Sequence, residues 1–146
     1  MHPAFEGLLN FLGRLLLVGI FLMSGVMKIP NFQATADGMA KKGMVATQIF
    51  LAGAIAFEIV GAISVIIGFK ARYGAFLLAV FLVPTTLIFH AFWKIDPHNM
   101  QEMQNEMGNF MKNFAMFGAL LMIIARGTGP WSIDNLFTRH EPPAPV

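Results

Sequence analysis

Four long apolar stretches, separated by shorter polar ones, form the dominant pattern of this sequence. They cover about residues 8–27, 47–69, 73–93 and 107–125. A hydrocarbon core of roughly 30 Å requires about 20 mostly apolar residues in a helix, so each stretch is long enough to span a membrane. The pattern predicts an all-α, polytopic membrane protein with four transmembrane helices.

The connections between these stretches predict how the helices are arranged. Only the few residues around 70–72 join the second and third stretches, so those helices must be antiparallel neighbours. In the first connection, Phe32, Ala36 and Met39 recur at helical spacing, as in a short helix lying in the membrane interface. Residues 97–107 show the same pattern. We therefore expect an antiparallel four-helix bundle with short interfacial helices.

The composition agrees with a membrane protein and excludes several soluble classes. Apolar residues make up 56% of the chain and charged residues 12%, about half the charged share of a soluble domain. The net charge of +2 forms no basic stripe, so no nucleic-acid partner is expected. The absence of cysteine excludes a disulfide framework and a thiol relay. We expect a single domain over residues 1–146, with a mobile, proline-rich tail from about residue 135.

Glu58 is the most informative residue of the predicted spans. It lies near the middle of the second span, where an ionised carboxylate is unfavourable unless it is paired, hydrated or protonated. Gly61, Ser64 and Gly68 follow it at helical spacing and allow a second helix to approach, so Glu58 should face the bundle. We predict Arg14 as its partner, because a long arginine can cover an axial offset of roughly 7 Å. Alternatively, Arg14 extends to the lipid headgroups and Glu58 stays neutral.

A second group of polar residues collects at the opposite end of the spans. Lys28 closes the first span, His90 lies one turn before the end of the third, and Lys112 and Asn113 lie about one turn inside the fourth. In an up-and-down bundle these residues would form a cationic mouth leading toward Glu58, suited to a quinone headgroup or a small anion. Alternatively, the lysines reach out to water and His90 is an ordinary interfacial residue.

Methionines near His90 and His98 raise a metal hypothesis. Their thioethers are soft ligands that suit Cu(I), and they recur at helical spacing at Met100, Met103, Met107 and Met111. The same spacing is typical of the apolar face of an interfacial helix, so we predict no metal site.

Taken in order, these segments resemble those of the DoxX family of small four-span bacterial membrane proteins. The family's opening span is similar to LGRLLLVGIFLMSGVMKI, with Arg14, Gly25 and Lys28 in matching positions. Its second span and turn are similar to FEIVGAISVIIGFKAR, which contains Glu58. The end of its third span and its closing segment are similar to FHAFW and NFMKNFAMFGALLMIIARGTGPWSID. The resemblance covers roughly residues 8–134.

The resemblance implies an accessory membrane subunit of a redox system, because relatives include a membrane subunit of thiosulfate:quinone oxidoreductases. Together with the buried charges, it favours a quinone as the candidate ligand, with no tightly bound cofactor, and Glu58 as a catalytic residue that relays a proton. The residues expected to bind the quinone headgroup or a small anion are Arg14, Lys28, His90, Lys112 and Asn113. The lack of cysteine departs from relatives with thiol chemistry, so autonomous thiol oxidation is not expected.

Other relatives act in protein export or receptor assembly, so the alternative is a non-catalytic scaffold or assembly factor whose buried charges fix the helix register. Whether the chain is itself an enzyme is open under both hypotheses. The expected partners are the lipid bilayer and either another protein or a second copy of the chain. A transporter is least favoured, because four spans without an inverted repeat leave little room for alternating access.

Membrane orientation depends on basic residues, and these are balanced between the two faces. Four spans place both termini on one side, and four lysines or arginines lie near each face. Lys70, Arg72 and Arg126 lie close to span ends, so we favour cytoplasmic termini in the inner membrane of a bacterial cell.

Overall fold

The structure of this protein is a computed structural model, and it describes residues 2–138. Its α-helices are α1 (Pro3–Lys28), α2 (Phe32–Lys41), α3 (Thr47–Ile67), α4 (Ala71–Phe89), α5 (Met100–Arg126) and α6 (Ile133–Thr138). A short 3-10 helix, Phe92–Lys94, precedes α5. The helices α1, α3, α4 and α5 are long and apolar enough to cross a membrane. The predicted all-α polytopic fold is confirmed.

The turn between α3 and α4 makes these two helices antiparallel neighbours, as predicted. Gly68 ends α3 with φ of +69°, a left-handed conformation that glycine adopts without a steric penalty. Its backbone N–H donates to the carbonyl of Ser64, and the hydroxyl of Ser64 donates to the carbonyl of Phe69 at 2.7 Å. Lys70, also left-handed, then starts α4. The chain therefore reverses within three residues, 68–70.

Small residues allow the central helices to approach closely. A Cβ atom added to Gly74 of α4 would lie 2.5 Å from the hydroxyl of Ser64 and 2.9 Å from the carbonyl oxygen of Gly61, both in α3. A Cβ atom added to Gly25 of α1 would lie 3.1 Å from Cβ of Glu58. The predicted close approach at the small residues of α3 is therefore confirmed.

The two helices α3 and α4 form the centre of the bundle. The helix α1 packs on α3 and α5 packs on α4, whereas α1 and α5 do not pack extensively on each other. The core is buried between them and includes Val18 of α1, Val65 of α3, Leu78 of α4 and Leu120 of α5. The candidate site lies within this bundle, in a cavity lined by residues of all four membrane helices.

Of the two short interfacial helices predicted from the sequence, the structure contains only the first as a separate helix. The first exists as α2, which buries Ala36 and Met39 against Leu51 of α3. The second is wrong, because α5 runs without a break from Met100 to Arg126. Asn99 caps it by accepting a hydrogen bond from the backbone N–H of Glu102 at 3.3 Å. This cap starts the fourth membrane helix about two turns earlier than the sequence pattern predicted.

A closing segment, which we define as residues 127–138, follows α5 and ends in α6. The predicted mobile tail began at about residue 135, but residues 135–138 belong to α6. The remainder of that tail, residues 139–146, lies outside the described residues.

Candidate functional site

A buried ion pair between Lys28 and Glu58 is the centre of the site. The Nζ atom of Lys28 donates to both carboxylate oxygens of Glu58 at 2.7 Å and to the hydroxyl of Ser24 at 2.6 Å. Glu58 is 1% exposed, so the prediction that it faces the bundle is confirmed. The predicted partner is wrong, because Lys28 and not Arg14 neutralises this carboxylate.

The direction of the Lys28 side chain explains how a residue at a helix end reaches the middle of the membrane. Side chains of an α-helix point back toward its N-terminus. Lys28 is the last residue of α1, so its ammonium returns one turn to Ser24 instead of extending to the headgroups. The ammonium also lies 5.5 Å from the ring centre of Phe81. The alternative in which Lys28 reaches out to water is therefore wrong.

Arg14 has a different role at the other end of the bundle. Its guanidinium donates to the carbonyl oxygens of Asn10 at 3.3 Å, Val65 at 3.3 Å and Trp131 at 2.6 Å, and the residue is only 4% exposed. Val65 lies two turns along α3 from Glu58, which explains why the predicted Arg14–Glu58 pair does not form. Arg14 joins α1, α3 and the closing segment, and it does not line the cavity described below.

Asp134 completes this second polar cluster. Its carboxylate accepts hydrogen bonds from the backbone N–H groups of Lys70 at 2.8 Å and Ala71 at 3.1 Å, which caps α4. Its own backbone N–H donates to the carbonyl of Gly68 at 2.8 Å. The closing segment is therefore bonded both to Arg14 and to the turn between α3 and α4.

The inner cavity, as we name it, has a volume of about 160 Å³ and lies beside the ion pair. All four membrane helices contribute to its lining. Its ionisable and amide side chains are Lys28, Glu58, His90, Lys112 and Asn113. The predicted mouth residues therefore do meet around one cavity, together with Glu58. Apolar walls formed by Phe81, Leu82 and Met116 complete it.

Asn113 is fixed by a buried hydrogen bond. Its amide donates to the hydroxyl of Thr86 at 3.0 Å, and that hydroxyl donates to the carbonyl of Leu82 at 2.7 Å. Both side chains are buried, so this contact sets the position of α5 against α4. Lys112, the next residue back, is exposed and donates to the side chain of Asn109 at 3.2 Å. Lys112 thus lines the inner cavity and is also exposed at the protein surface.

Glu106 is a member of the site that the sequence analysis did not predict. One of its carboxylate oxygens lies 2.6 Å from Nδ1 of His90, within hydrogen-bond distance. Glu106 also lines an outer pocket, a second cavity of about 590 Å³ that contacts α4, α5 and their connection. Sixteen residues separate His90 from Glu106, and the chain turns back between them, so no periodic spacing indicates this contact.

Comparisons with known proteins agree with the fold. The DoxX family model matches residues 9–91, more than half of the chain. Inner membrane protein YphA of Escherichia coli K12 is 29% identical over 127 residues, covering 87% of this chain and 89% of the relative. Inner membrane protein YqjF of the same organism is 29% identical over 126 residues, covering 86% and 89%. No solved structure matches the chain.

These matches test two predictions made from the sequence. The location in an inner membrane is confirmed by both relatives and by the four membrane-length helices. The extent of the family match, read with the four helices, establishes that this chain belongs to the DoxX family.

Proposed function

We propose that this protein is an accessory membrane subunit of a redox system and that its inner cavity binds the headgroup of a quinone. The volume and lining of the cavity carry this proposal. A cavity of about 150 Å³ in a protein core can hold benzene, so about 160 Å³ suits one six-membered ring. Phe81 and Met116 offer apolar walls to such a ring, while the charged groups gather beside it.

The polar groups of the cavity suit the two carbonyl oxygens of a quinone. Lys112 and His90 supply hydrogen-bond donors to an oxygen that gains negative charge on reduction. Glu58 lines the same cavity, and its carboxylate, held by Lys28 at 2.7 Å, would first take up a proton and then pass it to that oxygen. In this proposal the electrons come from a partner protein, so the chain acts as a subunit and not as an independent enzyme.

Binding of decylubiquinone to the purified protein in lipid nanodiscs tests the proposal. We expect Lys112→Met to weaken binding about tenfold or more, because a hydrogen bond to a charged group contributes about 1.5–3 kcal/mol. The matched control is Lys94→Met, which removes a lysine from the outer pocket and not from the inner cavity. Absence of binding to the unsubstituted protein, or equal losses in both variants, would contradict the proposal.

A non-catalytic scaffold or assembly factor is the second candidate, and the contacts of Arg14 favour it. This residue joins three segments through backbone carbonyls and takes no part in the cavity. As a scaffold, the protein would bind no decylubiquinone, and Glu58→Gln or His90→Ala would reduce its amount in membranes or its co-purification with a partner. As a redox subunit, it would keep its amount in His90→Ala and lose quinone-linked turnover in both variants.

A further inference from the structure

The pair formed by His90 and Glu106 stands between two cavities of different character. His90 lines the inner cavity, and Glu106 lines the outer pocket. The two side chains meet at 2.6 Å and are 23% and 29% exposed, so both remain partly accessible. Within the part of the chain that the structure describes, no hydrogen bond involves Nε2 of His90.

We propose that His90 and Glu106 carry protons from the outer pocket to the inner cavity. The inference rests on the proposed function, because reduction of a quinone bound in the inner cavity consumes protons. The two nitrogens of an imidazole ring allow one to take up a proton while the other releases one. His90 therefore has the chemistry and the position to connect the two spaces.

The proposed proton transfer runs from Glu106 through the two ring nitrogens of His90. The O–H bond of a protonated Glu106 breaks as an N–H bond forms at Nδ1 of His90. The N–H bond at Nε2 then breaks, and that proton passes to an acceptor in the inner cavity. The acceptor is a ligand oxygen or the carboxylate of Glu58, directly or through water in the cavity. The ring then carries its one proton at Nδ1. Rotation of the ring about its Cβ–Cγ bond turns Nδ1 toward the inner cavity and the unprotonated Nε2 toward Glu106, and protonation of Glu106 from solvent resets the pair with the two nitrogens exchanged.

Charged groups surround the pair on both sides. The inner cavity presents Lys28, Glu58 and Lys112, of which the first two neutralise each other. The outer pocket presents Lys42, Lys94, Asp96 and Glu102, all exposed. Solvent therefore reaches the Glu106 side of the pair, whereas the carboxylate of Glu58 on the other side is buried.

The pair is a poor candidate for a purely structural contact. Partly exposed ion pairs contribute about 0–1 kcal/mol, so loss of Glu106 should leave the fold intact. A structural role and a role in proton transfer therefore predict different results for the same variant.

Hydrogen exchange at the ammonium of Lys28 reports on this path without requiring any turnover. The protein is labelled with ¹⁵N-lysine in nanodiscs, and the Lys28 signal is assigned by its loss in Lys28→Arg. We expect Glu106→Gln to slow exchange with water by about tenfold or more, as loss of a proton-transfer group does. The control is Glu102→Gln, one turn earlier on α5 in the same outer pocket, which should leave the rate unchanged.

Two results would overturn the proposal. One is an exchange rate in Glu106→Gln equal to that of the unsubstituted protein, including rapid exchange in both. The other is equal slowing in Glu102→Gln, which would indicate a general effect of charge. Decylubiquinone binding is measured on the same samples. If the unsubstituted protein binds none, the proposed function fails, and the exchange rates still decide whether His90 and Glu106 conduct protons.

Discussion

Removal of Lys28 is expected to destabilise the protein more than removal of Glu58, although the two form one ion pair. The Glu58 side chain is 2% exposed and that of Lys28 is 24% exposed. In Lys28→Met, the carboxylate loses both of its hydrogen bonds and remains buried. In Glu58→Gln, the amide oxygen still accepts from the ammonium, which keeps its bond to Ser24 and is less deeply buried than the carboxylate.

The expected losses of stability follow from this difference in burial between the two side chains. Leaving a buried charge without its partner costs about 3–5 kcal/mol, so we expect Lys28→Met to lower the free energy of unfolding by that amount. Glu58→Gln weakens a charged hydrogen bond without abolishing it, and we expect a loss of about 1–2 kcal/mol. A difference of about 2 kcal/mol corresponds to roughly 30-fold in the ratio of folded to unfolded protein. The double variant Lys28→Met with Glu58→Met should recover most of the loss, because apolar side chains replace both charges.

Equilibrium unfolding in mixed micelles of increasing dodecyl sulfate content, followed by circular dichroism, measures these free energies. The matched control is Lys112→Met, which removes an exposed lysine bonded only to the side chain of Asn109 within the described residues. It should change the free energy of unfolding by less than about 0.5 kcal/mol. Equal losses in the two single variants, or a double variant whose loss is the sum of both, would refute the reasoning.

Two further variants test the packing and the polar cluster of the closing segment. Gly74→Ala places a methyl group against Ser64 and should lower the free energy of unfolding by about 1–3 kcal/mol. Gly118 has open space around it, so Gly118→Ala should raise the free energy of unfolding by about 0.5–1 kcal/mol. Equal changes in the two variants would contradict this reasoning. Arg14→Lys should speed proteolysis of the closing segment, because an ammonium cannot span the three carbonyls that the guanidinium reaches, including that of Trp131. Unchanged cleavage would show that Arg14 does not hold that segment.

The membrane fold is readable from the sequence because its main determinant is local. Hydropathy over about 20 residues identifies a span, and the short turn around Gly68 requires antiparallel neighbours. The cap at Asn99, with Glu102 three residues later, is also a local signal that places the start of α5. The prediction of a separate interfacial helix at residues 97–107 is wrong because it relied on amphipathic spacing and overlooked this cap.

The partners of the buried charges could not be derived in the same way. Arg14 and Glu58 both lie deep in their spans, so depth alone suggests that they pair. The structure shows that the direction of a side chain matters more than the depth of its residue, because the Lys28 side chain points back along α1 toward Glu58. Arg14 meets Trp131, 117 residues further along the chain, and only the tertiary fold brings them together.

The cap that Asp134 provides to α4 has a consequence for the order of assembly in the cell. The hairpin of α3 and α4 leaves the ribosome well before Asp134 does, so it enters the bilayer with the backbone N–H groups of Lys70 and Ala71 lacking their final acceptor. The ribosome must synthesise α5 and the start of the closing segment before Asp134 can accept hydrogen bonds from these N–H groups. Polypeptides truncated before the closing segment should therefore insert, remain incompletely assembled, and be removed by membrane quality-control proteases.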